Sequence, residues 1–288
     1  QLAGYSRETN PQLSELQIIS IPRVEACGTS TDVSLPCMMS RIGRSDYNRD
    51  RILSEEQLPS LLNRAGANVL WIDNQSGCKG ACTGVNTRAT TPNPQDCPNG
   101  ECGDRVFLSE LKGELGKLPA DRPTVLFLHM MGSHGPAYSL RSDKERKLFE
   151  PECTDADLKS CSRESVMNAY DNSVRETDYV LASLIRMLKD TSGSIDSALV
   201  YVSDHGESLG EGGLYLHGAP YWMAPKEQTE VPMVLWMNSG FEKTFGINRS
   251  KLEKNAAGRV THENLYHTVL GLLNVKSTTY VPTYDLTH

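Results

Sequence analysis

Four short apolar runs alternate with longer stretches of helical periodicity, and this alternation restricts the fold more than any other feature. The runs are NVLWID (68–73), TVLFLHM (124–130), SALVYVS (197–203) and VPMVLWMN (231–238). They lack the polar alternation of a strand with one wet face. They read instead as strands covered on both sides, as parallel sheets require. Between them, SEEQLPSLLNRAG (54–66) begins on Ser and stops at Gly66, which predicts a helix. Residues 104–118 and 262–273 are helical as well. Residues 163–190 carry Val166, Tyr170, Val174, Leu181, Leu184 and Leu188 on one face, a long amphipathic helix. Residues 74–103 are dense in Gly, Pro, Asn, Thr and Cys and read as a stapled loop. The expected class is α/β with a mainly parallel central sheet. With 288 residues, no repeat and no low-complexity linker, residues 1–288 are expected to form one domain.

The net charge of -7 argues against a nucleic-acid backbone as partner. Arg41, Arg44, Arg49 and Arg51 do cluster, but Asp46 and Asp50 are interleaved, so a solvated face is the plainer reading than an anionic-lipid contact. No window approaches 18 apolar residues, so no membrane span is expected. The opening Gln1-Leu2-Ala3-Gly4-Tyr5 carries neither Met nor a charged leader, and the chain is expected to be part of a longer protein. Eight cysteines fall into the close pairs Cys27/Cys37, Cys78/Cys82, Cys97/Cys102 and Cys153/Cys161. Zinc is the rival reading, but no C-x2-C knuckle repeats and no His follows at finger spacing. Neighbour disulfides are favoured, and with them an oxidising compartment.

Ligands of a parallel sheet gather beyond the carboxyl ends of its strands. Asp73, Asn74 and Lys79 follow one strand. His129 and His134 follow the next. Asp204, His205, Glu207, Glu211 and His217 crowd behind a third. An isolated Asp-His pair is more simply a capped loop. Three further strand-end histidines, and glycines flanking Glu207, favour a metal site, with Asp204 and His205 offering oxygen and nitrogen to one zinc ion. In CGTSTDVSLPCM (27–38), Thr31 lies near a likely helix start, where free N–H groups favour anions such as phosphate. A hydroxyl there becomes a nucleophile if a metal lowers its pKa. The plain alternative makes Ser30, Thr31 or Asp32 an N-cap.

Taken together, CGTST, HMMGSHGPAY, NAYDNSV, YVSDHGESLGE, YLHGAP and APKEQ resemble the periplasmic catalytic domain of lipid A phosphoethanolamine transferases. These are inner-membrane enzymes, related to the colistin-resistance transferases, of the alkaline phosphatase superfamily. The resemblance runs from GYSRETNPQL to the helix near Leu273. It implies a three-layer α/β/α sandwich and one zinc ion with room for a second. By motif, Thr31 would be nucleophile and zinc ligand, and Asp204 and His205 zinc ligands. His134 and His217 would face the substrate phosphate or a second, weaker zinc. Lys79 would be a substrate-binding lysine, and Glu207 would support the site. His129, His262 and His267 are read as structural. The donor implied is phosphatidylethanolamine and the acceptor lipid A, through a threonine-bound intermediate. The setting implied is the periplasmic face of the inner membrane, as a monomer held there by a transmembrane domain. In the family a strand ending in G-E-T-A-R precedes the segment that begins here, and its Glu is a zinc ligand. That ligand and a central strand are therefore expected to be missing from residues 1–288.

Two other readings stand beside this one. A sulfatase needs a Cys or Ser in a C/S-x-P-x-R context, and Cys27 is followed by Gly28-Thr29-Ser30 instead. A disulfide-rich periplasmic domain without turnover is the non-enzyme alternative. Asn248-Arg249-Ser250 matches a glycosylation acceptor by chance.

Overall fold

A computed structural model describes residues 5–91 and 103–288. Its strands are β1 (Ile19–Glu25), β2 (Asn68–Asp73), β3 (Asn86–Ala89), β4 (Thr124–His129), β5 (Ala198–Val202), β6 (Ser208–Leu209), β7 (Tyr215–Leu216), β8 (Glu230–Met237) and β9 (Val260–Thr261). The helices are α1 (Pro11–Ser14), α2 (Thr31–Met38), α3 (Arg49–Ser54), α4 (Leu58–Arg64), α5 (Val106–Leu115), α6 (Arg163–Asp190), α7 (Lys226–Thr229), α8 (Ser239–Phe245), α9 (Arg249–Ala256) and α10 (His262–Leu272). The class is α/β, as expected.

One sheet has the order β5-β8-β1-β9 and another β3-β2-β4, while β6 and β7 form a small hairpin. The second sheet is parallel throughout, and its register sets Asp73 beside His129. The first is mixed, because β8 runs antiparallel to both β1 and β5. The apolar run of β8 reported burial on two faces, which says nothing of direction. Strand β1 escaped the sequence reading because Pro22 and Arg23 interrupt it. The structure places them where the pairing with β8 shifts register between Ile21 and Val24, so the proline costs no ladder bond there. The segment read as a stapled loop contains β3, an exposed polar edge strand. Ser54 closes α3 rather than opening a helix. The next helix starts behind Gln57 with Pro59 in its first turn, a position that needs no N–H.

Three of the expected disulfides form: Cys27–Cys37, Cys78–Cys82 and Cys153–Cys161. Cys97 and Cys102 lie outside the described residues. Of the clustered arginines, Arg41 and Arg51 pair with Glu55 and Arg49 with Asp32, so the acids that pair with them are not the interleaved Asp46 and Asp50.

Strands β4 and β5 each pair on one side only among the described residues. Every residue of both strands stays partly accessible, although the sequences TVLFLH and ALVYV are apolar. Their open edges border a cavity of about 1930 Å³, whose lining includes Leu126, Leu128, Leu199 and Tyr201. The same cavity reaches Thr31, Asp204 and His205. The cavity between the two open edges thus leads into the region where the charged residues collect.

Trp71 holds the parallel sheet together. Its ring stacks on Phe127 of β4 at 5.4 Å, and its indole N–H donates to Asp73 at 3.0 Å. The side chain is 2% exposed. Trp71→Ala is expected to cost about 3–5 kcal/mol, the range for deleting a buried aromatic. Urea unfolding measures it, and a loss below about 1 kcal/mol would show that the β2–β4 contact is not part of the stable core.

Candidate functional site

The site begins at the turn before α2. The Cys27–Cys37 bridge ties this turn to the helix it precedes. Gly28 is required by space: a Cβ there would stand 2.7 Å from the Val33 side chain and 2.9 Å from the Ser34 nitrogen. Thr31 is the first residue of α2 and is buried. Ser30 occupies the N-cap position but makes no side-chain cap, so the capping alternative does not account for these hydroxyls. Ser34 Oγ accepts from the Gly28 N–H at 3.2 Å and donates to the Asp204 carbonyl.

His262, the first residue of α10, backs the same turn. Its Nδ1 accepts from the Cys27 N–H at 3.0 Å. The proton therefore sits on Nε2, which donates to the Ser203 carbonyl at 3.0 Å. Burial drives its pKa down to about 4, so the ring is neutral. One imidazole thus couples the turn carrying Thr31 to the loop carrying Asp204.

Beyond β5 the chain makes a close passage. A Cβ on Gly206 would lie 2.0 Å from the Glu227 carbonyl oxygen, so only glycine fits. His205 Nδ1 donates to the Gly206 carbonyl at 3.0 Å, which leaves Nε2 as a lone pair. That nitrogen is 3.3 Å from Thr31 Oγ1 and 3.7 Å from Asp204 Oδ2. Asp204 Oδ2 is buried and has no hydrogen-bond partner. An orphaned carboxylate oxygen, a bare imidazole nitrogen and a hydroxyl converge here. This donor set fits a zinc ion, which takes oxygen and nitrogen ligands.

Two more histidines complete the cluster. The His205 and His217 ring centres are 4.4 Å apart, and those of His134 and His217 are 4.9 Å apart. His217 donates from Nδ1 to Glu207 at 2.9 Å, and this bond raises its pKa above the ordinary value. His134 donates from Nδ1 to the Gly135 carbonyl at 2.7 Å, and burial, aided by His217, lowers its pKa. Glu207 also accepts from the Gly135 N–H at 3.3 Å and the Tyr138 hydroxyl at 2.9 Å. Ligand atoms of His205, Glu207 and His217 lie within 4.8 Å of one another. The hairpin bearing His217 is stitched to the Thr31 turn: Gly218 N–H donates to the Thr29 carbonyl, and Thr29 Oγ1 to the Ala219 carbonyl, both at 2.7 Å.

The structure brings Thr31, His134, Asp204, His205, Glu207 and His217 together. Lys79 stands apart, its ammonium bonded to the Ser76 carbonyl at 2.9 Å and hydroxyl at 2.8 Å. Asp73 is occupied with its own loop and His129. Burial opposes its ionisation, but bonds from His129 and Trp71 outweigh that and hold the carboxyl well below the usual range. Glu211 caps the Leu209 N–H and pairs with Arg163. His267 accepts from the Val281 N–H, away from the cluster. Sequence reasoning missed Asp104, whose buried carboxylate accepts from Asn74 and from the Met131 and Gly132 N–H groups, fixing the loop that leads to His134. Its only signal was a position at a helix start. Ser34 and Tyr138 gave no signal of their own.

The sulfatase family matches residues 1–275. The phosphoethanolamine transferase EptA of Escherichia coli K12 is 40% identical over 99% of this chain and 52% of its own length. The phosphatidylethanolamine transferase Mcr-1 of Escherichia coli is 37% identical over 94% of this chain and 50% of its length. The chain thus spans about half the length of the curated relatives it matches. The soluble domain of lipooligosaccharide phosphoethanolamine transferase A from Neisseria meningitidis superposes with a TM-score of 0.94 at 40% identity, covering 99% of this chain and 86% of that one.

His262 offers a direct test of how the two loops are coupled. Its folded pKa of about 4 lies below the usual 6.5. The unfolded chain therefore takes up the proton first, so this contribution to stability is complete above about pH 6.5 and is lost as pH falls through about 4. His262→Gln is expected to unfold at lower urea at pH 7, since a buried polar group left unpaired costs about 1–3 kcal/mol. The gap between wild type and variant should narrow as pH falls to about 4. A gap independent of pH would rule out a neutral buried ring.

Proposed function

The chain belongs to the sulfatase family, and on that premise we propose that it is the catalytic domain of a zinc-dependent phosphoethanolamine transferase that moves the group from phosphatidylethanolamine to lipid A. The observation that carries this reading is the convergence of Thr31 Oγ1, His205 Nε2 and the partnerless Asp204 Oδ2. The likeness to EptA and Mcr-1 supplies the substrate class.

Thr31, Asp204 and His205 would hold the zinc. Bound there, the ion would lower the pKa of the Thr31 hydroxyl and draw charge from phosphoryl oxygens. The Thr31 oxygen attacks the donor phosphorus, forming an O–P bond as the bond to diacylglycerol breaks. Thr31 heads α2, so the free N–H groups of its first turn face the incoming anion. The bond to Glu207 raises the pKa of His217 above the ordinary value and so favours the protonated ring. His217 is thereby suited to neutralise the transition state and to give a proton to the departing alkoxide. His134, whose pKa is lowered, stays neutral and leaves Nε2 to accept a substrate hydrogen. A lipid A phosphate oxygen then displaces Thr31. Lys79 joins only by exchanging Ser76 for substrate.

The slot between β4 and β5 is assigned to the upstream G-E-T-A-R strand of the family, whose Glu would complete the ligand set. The open edges of β4 and β5, the apolar lining and the reach of the cavity to Asp204 support this. Three disulfides support a periplasmic setting. No helix among the described residues is long and apolar enough to cross a membrane, and the parent protein's transmembrane domain would hold this monomeric domain at the inner membrane. A sulfatase reaction is disfavoured, because Cys27 is buried in a disulfide and cannot supply formylglycine.

Intact-mass analysis of the zinc-loaded protein after exposure to phosphatidylethanolamine should show one phosphoethanolamine group on Thr31, and none in Thr31→Ala. An adduct that persists in the variant would refute the nucleophile. Asp204→Asn should weaken zinc binding by about tenfold or more, as loss of a charged oxygen ligand does, read by calorimetry. Equal affinity would place the metal elsewhere. A peptide carrying the upstream strand should raise the thermal midpoint of the chain; no shift at saturating peptide would mean that the slot takes something else.

A further inference from the structure

Trp222 is 85% exposed and its neighbour Met223 is 54% exposed. They lie in the 3-10 turn Tyr221–Met223, between Pro220 and Pro225. This turn is pinned to the turn that carries Thr31. The Tyr221 hydroxyl donates to the Ala26 carbonyl at 2.9 Å, and the preceding Ala219 N–H donates to Gln228 at 3.1 Å. The indole is thus displayed on a fixed base and is not the tip of a loose loop. Other exposed large apolar side chains, Leu140 at 54% and Leu214 at 42%, sit in the loops that carry His134 and His217. Cations flank the turn: the Arg44 guanidinium lies on the Tyr221 ring at 4.0 Å, and Lys226 is exposed.

We propose that the Tyr221–Met223 turn is a membrane-contact element that seats the mouth of the site on a phospholipid bilayer, Trp222 and Met223 entering the headgroup–acyl boundary and Lys226 facing lipid phosphates. This rests on the reading of the substrates as lipids. An indole beside cationic side chains is the chemistry of the bilayer interface. One indole and one thioether are too small for a specific protein partner, which buries about 800 Å² on each side. A bilayer asks only for insertion. The placement also gives the element a purpose: the turn that meets the lipid is hydrogen-bonded to the strand end from which the Thr31 turn departs.

The natural fluorophores provide the test. Trp71 and Trp236 are buried, at 2% and 4%, so contact quenching from a membrane reports Trp222. With vesicles of phosphatidylethanolamine and phosphatidylglycerol brominated on the upper acyl chain, emission should shift to the blue and be quenched. Trp222→Ala with Met223→Ser should co-sediment with these vesicles about tenfold more weakly, a 1.4 kcal/mol change. Turnover of a short-chain, water-soluble phosphoethanolamine diester should be the same in variant and wild type. Absence of quenching, or equal co-sedimentation, overturns the proposal and leaves the catalytic reading standing. Quenching by vesicles together with no turnover of the soluble diester by the zinc-loaded wild type keeps the membrane contact and removes the catalytic reading.

Discussion

The buried, neutral ring of His262 is the contact on which the site depends. It receives a hydrogen from the turn before α2 and gives one to the end of β5. Those segments are far apart in sequence, and the Ser34–Asp204 bond beside the ring spans 170 residues. The Thr31–His205 distance is therefore set by backbone groups locked to each other, and side-chain rotamers only finish the arrangement. A protonated ring could not do this, because it would have no lone pair for the Cys27 N–H. Burial lowers the pKa, and the neutral ring that results is the form this geometry requires.

The histidine cluster is a problem in charge management. Three imidazoles with ring centres 4.4 and 4.9 Å apart cannot all be cationic at low cost. The fold separates them by their partners. Glu207 offers a carboxylate to His217 and favours its charge, whereas His134 and His205 donate only to neutral carbonyls. Glu207 in turn is held by the Gly135 N–H and the Tyr138 hydroxyl, which fix its carboxylate beside His217. Asp204 is the opposite case: its Oδ2 is buried without a hydrogen-bond partner, an arrangement suited to an oxygen ligand for a cation.

These differences mark what could be read in the sequence. Asp204, His205 and His134 were visible because they follow strand runs directly, and strand ends are where ligands gather. Thr31 was visible through the start signal of α2. The three described disulfides were visible because each closes a short loop. Strand β1 was hidden by Pro22, and the direction of β8 was hidden because burial leaves the same pattern in either orientation. Glu207 was read as supporting the site and His262 as structural, but the partners through which they act were hidden: only the tertiary fold delivers Tyr138 to one and Cys27 with Ser203 to the other. Lys79 shows the converse, since its motif points to substrate while the structure turns its ammonium onto Ser76.

The glycines extend this logic to the site's rigidity. At Gly28 and Gly206 the backbone approaches its neighbours more closely than any Cβ allows. Close approach lets main-chain groups carry the framework, so the polar side chains are released for ligands. A framework of this kind has little freedom to reorganise as charge develops, which is the condition under which fixed dipoles stabilise a transition state well. If the substrates are the lipids proposed, they would have to be brought to a fixed mouth, and Trp222 and Met223 are exposed side chains displayed on that frame. Rigidity at the threonine and exposure at the rim are two consequences of the same construction.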